Sequence, residues 1–369
     1  MDEKLKKIIF IVLGCFVILF LFLFLMSSCS KKISPKKLEA EIVEGAKDYY
    51  YIHKEELPSK NSILTLSLGD LVNKGIIKDL SKLLEDGTTC SGNLIIENNN
   101  DYYMYSPSLN CTDKYENYKS ENLTELLLEN VVTSGNGLYN VGDSFYFRGD
   151  NLNNYIIFDG LLWRITKINN DNSIRLIEVN RREPIVWDDR YNDEMKASTG
   201  INNFYYNNLS SRILESLTEI YNSENVLSTD AKGFIKETSL CIGKRSDVES
   251  INDGTVECST RLDNQYIGLL QLNEYMLASL DTNCLSTSST ACRNYNYLAD
   301  FVNSYWTLTA NSLNTSQVYK INTTVVSTTA SNTGMARMVI NISENTNVEG
   351  TGTELDPYKV VGLETELRK

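Results

Sequence analysis

The chain opens on a block rather than a period. Ile8 to Met26 is a run of nineteen residues without a charge. At 1.5 Å per residue it spans about 28 Å, enough for a hydrocarbon core of roughly 30 Å, so it predicts a transmembrane helix over residues 8–26. A 3.6-residue period follows, with Leu38, Ile42, Ala46, Tyr49 and Tyr50 on one face and Lys37, Glu39, Glu41 and Lys47 between them. Pro35 suits a first helical turn, so the pattern predicts a helix from Pro35 to about His53. Ser67 as N-cap, Asp70 three residues on and Gly75 as a stop predict a second, short helix. Leu94-Ile95-Ile96, the turn Asn98-Asn99-Asn100-Asp101 and Tyr102 to Tyr105 read as a hairpin.

Residues 116–137 read as a linker, with a short helix over Glu121 to Glu129 before the breakers Thr133-Ser134-Gly135-Asn136-Gly137. A meander comes next. Its strands are Ser144 to Phe147, Tyr155 to Phe158, Leu162 to Ile168 and Ser173 to Ile177, with turns at Asp159-Gly160 and Asn170-Asp171. Leu209, Ile213, Leu214 and Leu217 mark one later helix, and Leu272, Tyr275, Met276 and Leu280 another. Strands return at Tyr305 to Thr309, Gln317 to Asn322 and Met335 to Ile342. The expected organisation is a stub and anchor over 1–34, a small module over 35–115, the linker, and a larger domain over 138–369. The expected class is α+β throughout, behind the transmembrane helix.

Charge and cysteine usage place this framework. The net charge of −13 excludes a nucleic-acid binder, which needs clustered Lys and Arg. The first 37 residues carry +5, which leaves −18 for the remainder, a well-solvated surface. Cys90, Cys111, Cys241, Cys258, Cys284 and Cys292 fall in three local pairs without a CxxC knuckle, which favours disulfides over zinc. Cys90 and Cys111 flank the hairpin, so a bridge there staples its open end. Disulfides form outside the cytosol, so the bulk of the chain is expected to be extracellular, with residues 8–26 holding it to the cell membrane. The alternative is a lipoprotein: Met26-Ser27-Ser28-Cys29 resembles a lipobox, which makes Cys29 a candidate for lipidation.

Two larger resemblances follow. The 35–115 module resembles the globular part of type IV pilins and pseudopilins, with a membrane helix running into an amphipathic one, a small sheet and a disulfide near its end. The start Lys6-Lys7-Ile8-Ile9-Phe10-Ile11 lacks their Gly-Phe cleavage site and the following Glu, so the likeness implies shape and not filament assembly. Residues 144–360 resemble a family of uncharacterised exported domains of Gram-positive bacteria. The matching pieces are Tyr146-Phe147-Arg148-Gly149, Phe158-Asp159-Gly160-Leu161-Leu162-Trp163-Arg164-Ile165, Ile267-Gly268-Leu269-Leu270, Tyr305-Trp306-Thr307-Leu308-Thr309 and the Gly350-to-Lys359 close. Arg337-Met338-Val339 stands where that family has Arg-Pro-Val. The resemblance implies a C-type-lectin-like fold, related to formylglycine-generating-enzyme-like domains, and no assigned activity.

Candidate chemistry is sparse. His53 is the single histidine and sits in the tethering helix, which removes most His-dependent catalysis. Asp188, Asp189 and Glu194 beside Trp187 are the densest acids, and paired carboxylates can hydrolyse glycosides. Glu183-Pro184 and Trp187-Asp188-Asp189 are similar to the calcium motifs of C-type lectins, which makes Ca²⁺ the one cofactor to consider. Trp163 and Trp306 lie in strands and read as core. Trp187, in a charged loop, reads as partly exposed, and Trp187, Asp188, Asp189 and Arg190 are the expected ligand-binding residues.

The expected function is non-enzymatic recognition at the cell surface of a glycan, an envelope polymer or a protein. A carboxylate-dependent hydrolase and a pilin-like structural component are the alternatives. Mass spectrometry of the unreduced protein should find all six paired cysteines bonded; free thiols there would overturn the disulfide reading. Reducing the Cys90–Cys111 bridge alone should cost about 3 kcal/mol of stability.

Overall fold

A computed structural model describes residues 32–99, 102–112, 117–180, 182–249, 254–299, 304–322 and 324–368. The expected class is corrected. Strand accounts for 36% and helix for 21%, so the protein is mainly β rather than α+β. The reason is length: apart from the opening helix, the apolar 3.6-residue patterns run only four to eleven residues before a breaker. Val, Ile, Thr and Tyr in alternation take much of the rest of the chain into sheets. Among the described residues no helix is long and apolar enough to cross a membrane. The run at 8–26 and the lipobox-like Cys29 both lie outside the described residues.

The opening helix runs Pro35–Ile52, with Ser34 as N-cap, Pro35 at its first position and His53 as C-cap. It buries Leu38, Ile42, Ala46 and Tyr50 against a four-stranded antiparallel sheet. Leu68–Asn73 is the predicted short helix, and the Ser67/Asp70 capping box is formed. The hairpin is longer than its apolar core: Thr89–Asn99 pairs with Tyr102–Thr112, and Cys90 lies opposite Cys111. Ile63–Ser67 pairs with its first strand and Asn117–Lys119 with its second.

A nine-stranded sheet dominates the remainder. Leu161–Ile168 and Ile174–Glu178 are central, and Val339–Ile342 pairs beside them. The Asp159-Gly160 turn joins Tyr155–Phe158 to Leu161–Ile168, and both turn residues have positive φ, +53° and +71°. That conformation matches the right-handed twist of the strands and favours Asp-Gly. Tyr358–Val360 lies parallel to Tyr155–Phe158 and brings the end of the chain into the middle of the sheet. A separate four-stranded sheet contains Tyr305–Asn311, Gln317–Ile321 and Val325–Thr329. Trp163 and Trp306 are fully buried, as their strand positions predict.

The segment expected as a linker is part of the fold. Glu121–Asn122 pairs with Asn347–Glu349, and the helix Leu123–Leu128 sends Leu123 and Leu127 into the larger core. The hairpin is also joined to the larger unit directly. Met104 packs in that unit's core, and Asn99 Nδ2 donates to Gly233 O at 2.7 Å. A Cβ on Gly233 would sit 2.4 Å from Tyr103 O, so only glycine permits this approach. The buried Glu97 carboxylate accepts from Ser343 Oγ at 2.5 Å and Asn345 Nδ2 at 3.1 Å.

The three bridges are Cys90–Cys111, Cys241–Cys258 and Cys284–Cys292. They pair as the spacing predicts and fit an extracellular, disulfide-bearing protein.

Glu39, on the opening helix, is buried and accepts from Tyr118 Oη at 2.6 Å and Ser120 Oγ at 2.7 Å. Burial pushes its carboxyl up from 4.5 to about 7, against the pull of those two hydroxyls. The folded state therefore holds a proton that the unfolded chain has released. Its contribution to stability is full below pH 4.5 and is lost as pH rises through 7. Relative to Glu39→Gln, the wild type should lose about 3 kcal/mol between pH 4.5 and 7.5. Urea melts of both proteins across that window check this, and parallel curves would refute it.

Candidate ligand-binding surface

The sequence-predicted loop is packed rather than open. Trp187 is 0% exposed, its Nε1–H donates to Thr307 O at 3.3 Å, and its ring lies 5.9 Å from that of Phe204. The expectation of partial exposure is thus corrected: the indole packs against Phe204 and its N–H is satisfied by Thr307, so the ring lies in the core although charged residues neighbour it in sequence. Asp188 is also 0% exposed and forms an ion pair with Arg190. Its Oδ1 accepts from both the Arg190 backbone N–H and Nε at 3.0 Å. Asp189 remains at the surface, 3.3 Å from Arg212 Nε. These carboxylates are engaged by arginines and do not converge on a common point. His53 caps the opening helix and stacks on Tyr49 with centroids 4.3 Å apart.

The structure instead gathers polar groups at a cleft of about 380 Å³ beside the Cys241–Cys258 bridge. Its floor comes from the two central strands. Alternation along Leu161–Ile168 and Ile174–Glu178 puts Lys167 and Arg175 on one face, and both reach Glu274 of the helix Leu272–Leu277. Lys167 Nζ lies 3.1 Å and Arg175 Nε 2.9 Å from Glu274 Oε1. Burial raises the Glu274 carboxyl, but Arg175 and Lys167 outweigh it and hold the group below its ordinary value. Glu274 also accepts the Gln271 backbone N–H at 3.2 Å, the returning half of a capping box. Tyr146 lies under Lys167 with 5.2 Å between Nζ and the ring centroid, and burial raises its hydroxyl. Asn273, Asn341 and Ser239 complete the inner wall.

A second depression, about 740 Å³, adjoins it. Tyr205, Tyr221 and Tyr266 line it together with Asn222, Asn264 and Gln265. Tyr221 and Tyr266 stack with centroids 5.2 Å apart and planes 11° apart. Lys232 Nζ lies 5.5 Å from the Tyr221 ring, so a cation contributes to holding that pair. Arg261 lines both depressions. Glu237, at the cleft, accepts from Tyr266 Oη at 3.0 Å. The strand pair Thr238–Cys241 and Arg261–Gln265 runs between them and is fastened by Cys241–Cys258. The two depressions thus form one surface on one disulfide-held element.

No local pattern brings Arg175 together with Lys167 and Glu274. The available signal was a pair of cations inside apolar strand runs, an arrangement that demands a buried acid. Tyr221 and Tyr266 carried no local signal, because their stacking joins segments 45 residues apart.

Compared with protein-family models, curated proteins and solved structures, the chain matches none.

Because Trp187 fills the core against Phe204, Trp187→Ala should destabilise the protein by about 3–5 kcal/mol. A denaturant melt measures this; a cost below 1 kcal/mol would show that the ring does not support the core.

Proposed function

We propose that this is an extracellular recognition protein that binds a glycan or envelope polymer along the Tyr205–Tyr221–Tyr266 groove. The observation that carries the reading is the half-buried Tyr266 ring, stacked on the buried Tyr221 within a fringe of Asn222, Asn264 and Gln265. Flat rings offer area to the apolar face of a sugar at little entropic cost. Amide side chains both donate and accept, which matches hydroxyl groups that do the same. Three disulfides support a place outside the cytosol. Binding is favoured over hydrolysis at residues 183–194 because Asp188 and Asp189 are committed to Arg190 and Arg212.

The test is titration of the full chain against a panel of neutral and charged oligosaccharides, with and without Ca²⁺. Saturable binding to at least one member is expected. Tyr266 is half-buried, so Tyr266→Ala should weaken that binding roughly tenfold, with a circular dichroism spectrum like that of the wild type showing that the variant is folded. Unchanged affinity in the variant would remove the groove from the reading.

A further inference from the structure

The charges of the cleft do not cancel at its floor. Lys167 and Arg175 share the single carboxylate of Glu274, whose side chain is 2% exposed, against 14% for Lys167 and 6% for Arg175. Two cations on one anion leave an excess positive charge in a site largely shielded from water, where electrostatic attraction is strong. Arg175 is not saturated by its other partners: its Nη1 and Nη2 contacts to Asn341 Oδ1 and Leu269 O are both long, at 3.4 Å. Two further groups of the same wall, Asn273 Oδ1 and Ser239 Oγ, are buried without a hydrogen-bond partner. Orphaned polar atoms cost free energy unless something completes them. The wall therefore combines two cations with polar groups that the protein leaves unpaired.

The mouth has the opposite sign. Asp143, Asp171 and Glu237 line the same cleft and are more exposed than its floor. A dense polyanion would meet these carboxylates before it reached Lys167, and the net −18 beyond residue 37 would add long-range repulsion. A ligand with a single carboxylate among hydroxyls avoids that penalty and supplies what the wall lacks.

Resting on the recognition reading, we infer that the cleft is the acidic-sugar subsite of the surface and takes the carboxylate of a uronic acid residue. Lys167 and Arg175 hold the carboxylate, against the wall that Asn273 and Ser239 form. The Tyr221–Tyr266 groove carries the adjoining sugar, and Arg261 lines the passage from one to the other.

The experiment titrates the full chain with a galacturonic acid hexamer, its methyl ester, and a sulfated hexamer of equal length. The ester keeps the shape and removes the charge. The acid is expected to bind at least tenfold tighter than the ester, and the sulfated chain more weakly than the acid. Lys167→Gln should remove most of the preference for acid over ester. Equal binding of acid and ester overturns the subsite and leaves the recognition reading standing. A sulfated chain binding as tightly as the acid also overturns it, as attraction to a general anion. If neither acid nor ester binds while a neutral panel oligosaccharide does, the subsite alone falls; if no oligosaccharide binds, both readings fall. Should Lys167→Gln fail to fold, the comparison of acid and ester on the unaltered chain decides by itself.

Discussion

The carboxylate of Glu274 lies out of water with Lys167 and Arg175 within 3.1 Å, and much of the larger unit is arranged around that fact. Removing an ion from water costs several kcal/mol, which opposite charges must offset. To meet Glu274, the strands Leu161–Ile168 and Ile174–Glu178 must present their cations on one face, and the helix Leu272–Leu277 must dock across them. The contact thereby fixes the register of two central strands relative to a helix a hundred residues later. The same constraint recurs nearby: Arg245 and Glu257 are both fully buried and meet through two contacts of 2.8 Å. Glu257 in turn accepts the Asn273 backbone N–H at 3.2 Å, so the two buried pairs are consecutive around the start of that helix.

The covalent bonds each close a short local segment. Cys90–Cys111 closes the end of the hairpin away from its turn, beyond the apolar pairs centred on Leu94 and Ile96. Cys241–Cys258 fastens a strand pair that runs over the surface between two depressions. Cys284–Cys292 closes a loop with only a short 3₁₀ turn of its own. In each case the bridge limits the conformational freedom of the segment it closes. At Cys241–Cys258 the bridge also fastens the strand pair that lies between the groove and the cleft.

The seam between the small and large units has a different character. Glu97, Asn99 and Ser106 face Ser343, Gly233 and Asn347 in hydrogen-bonded contact, and Met104 enters the larger apolar core with Ile95 packed against it. Such polar contacts are directional, so they set orientation as well as adhesion. Glu39 lies near this seam with a proton affinity raised into the physiological range. The opening helix and the end of the chain are brought together there as well, through the Lys36–Glu349 ion pair.

Local pattern alone determined a large part of this protein. The Pro35–Ile52 helix, the Ser67 capping box, the hairpin, the meander with its Asp-Gly turn and the three cysteine pairs all rest on spacings within about twenty residues. Nearest-neighbour sterics and short-range closure decide such features. Tertiary structure decided the rest. It made the chain mainly β, because strands such as Glu121–Asn122 and Tyr358–Val360 exist only through partners far away in sequence. It took Trp187 and Asp188 from an apparently charged loop into the core, since Arg190 and Thr307 satisfy their polar atoms there. It also built the surface from Lys167, Arg175, Tyr221, Tyr266 and Glu274. No window of the sequence contains that set, because Coulomb attraction and ring stacking act on distance in space and not along the chain.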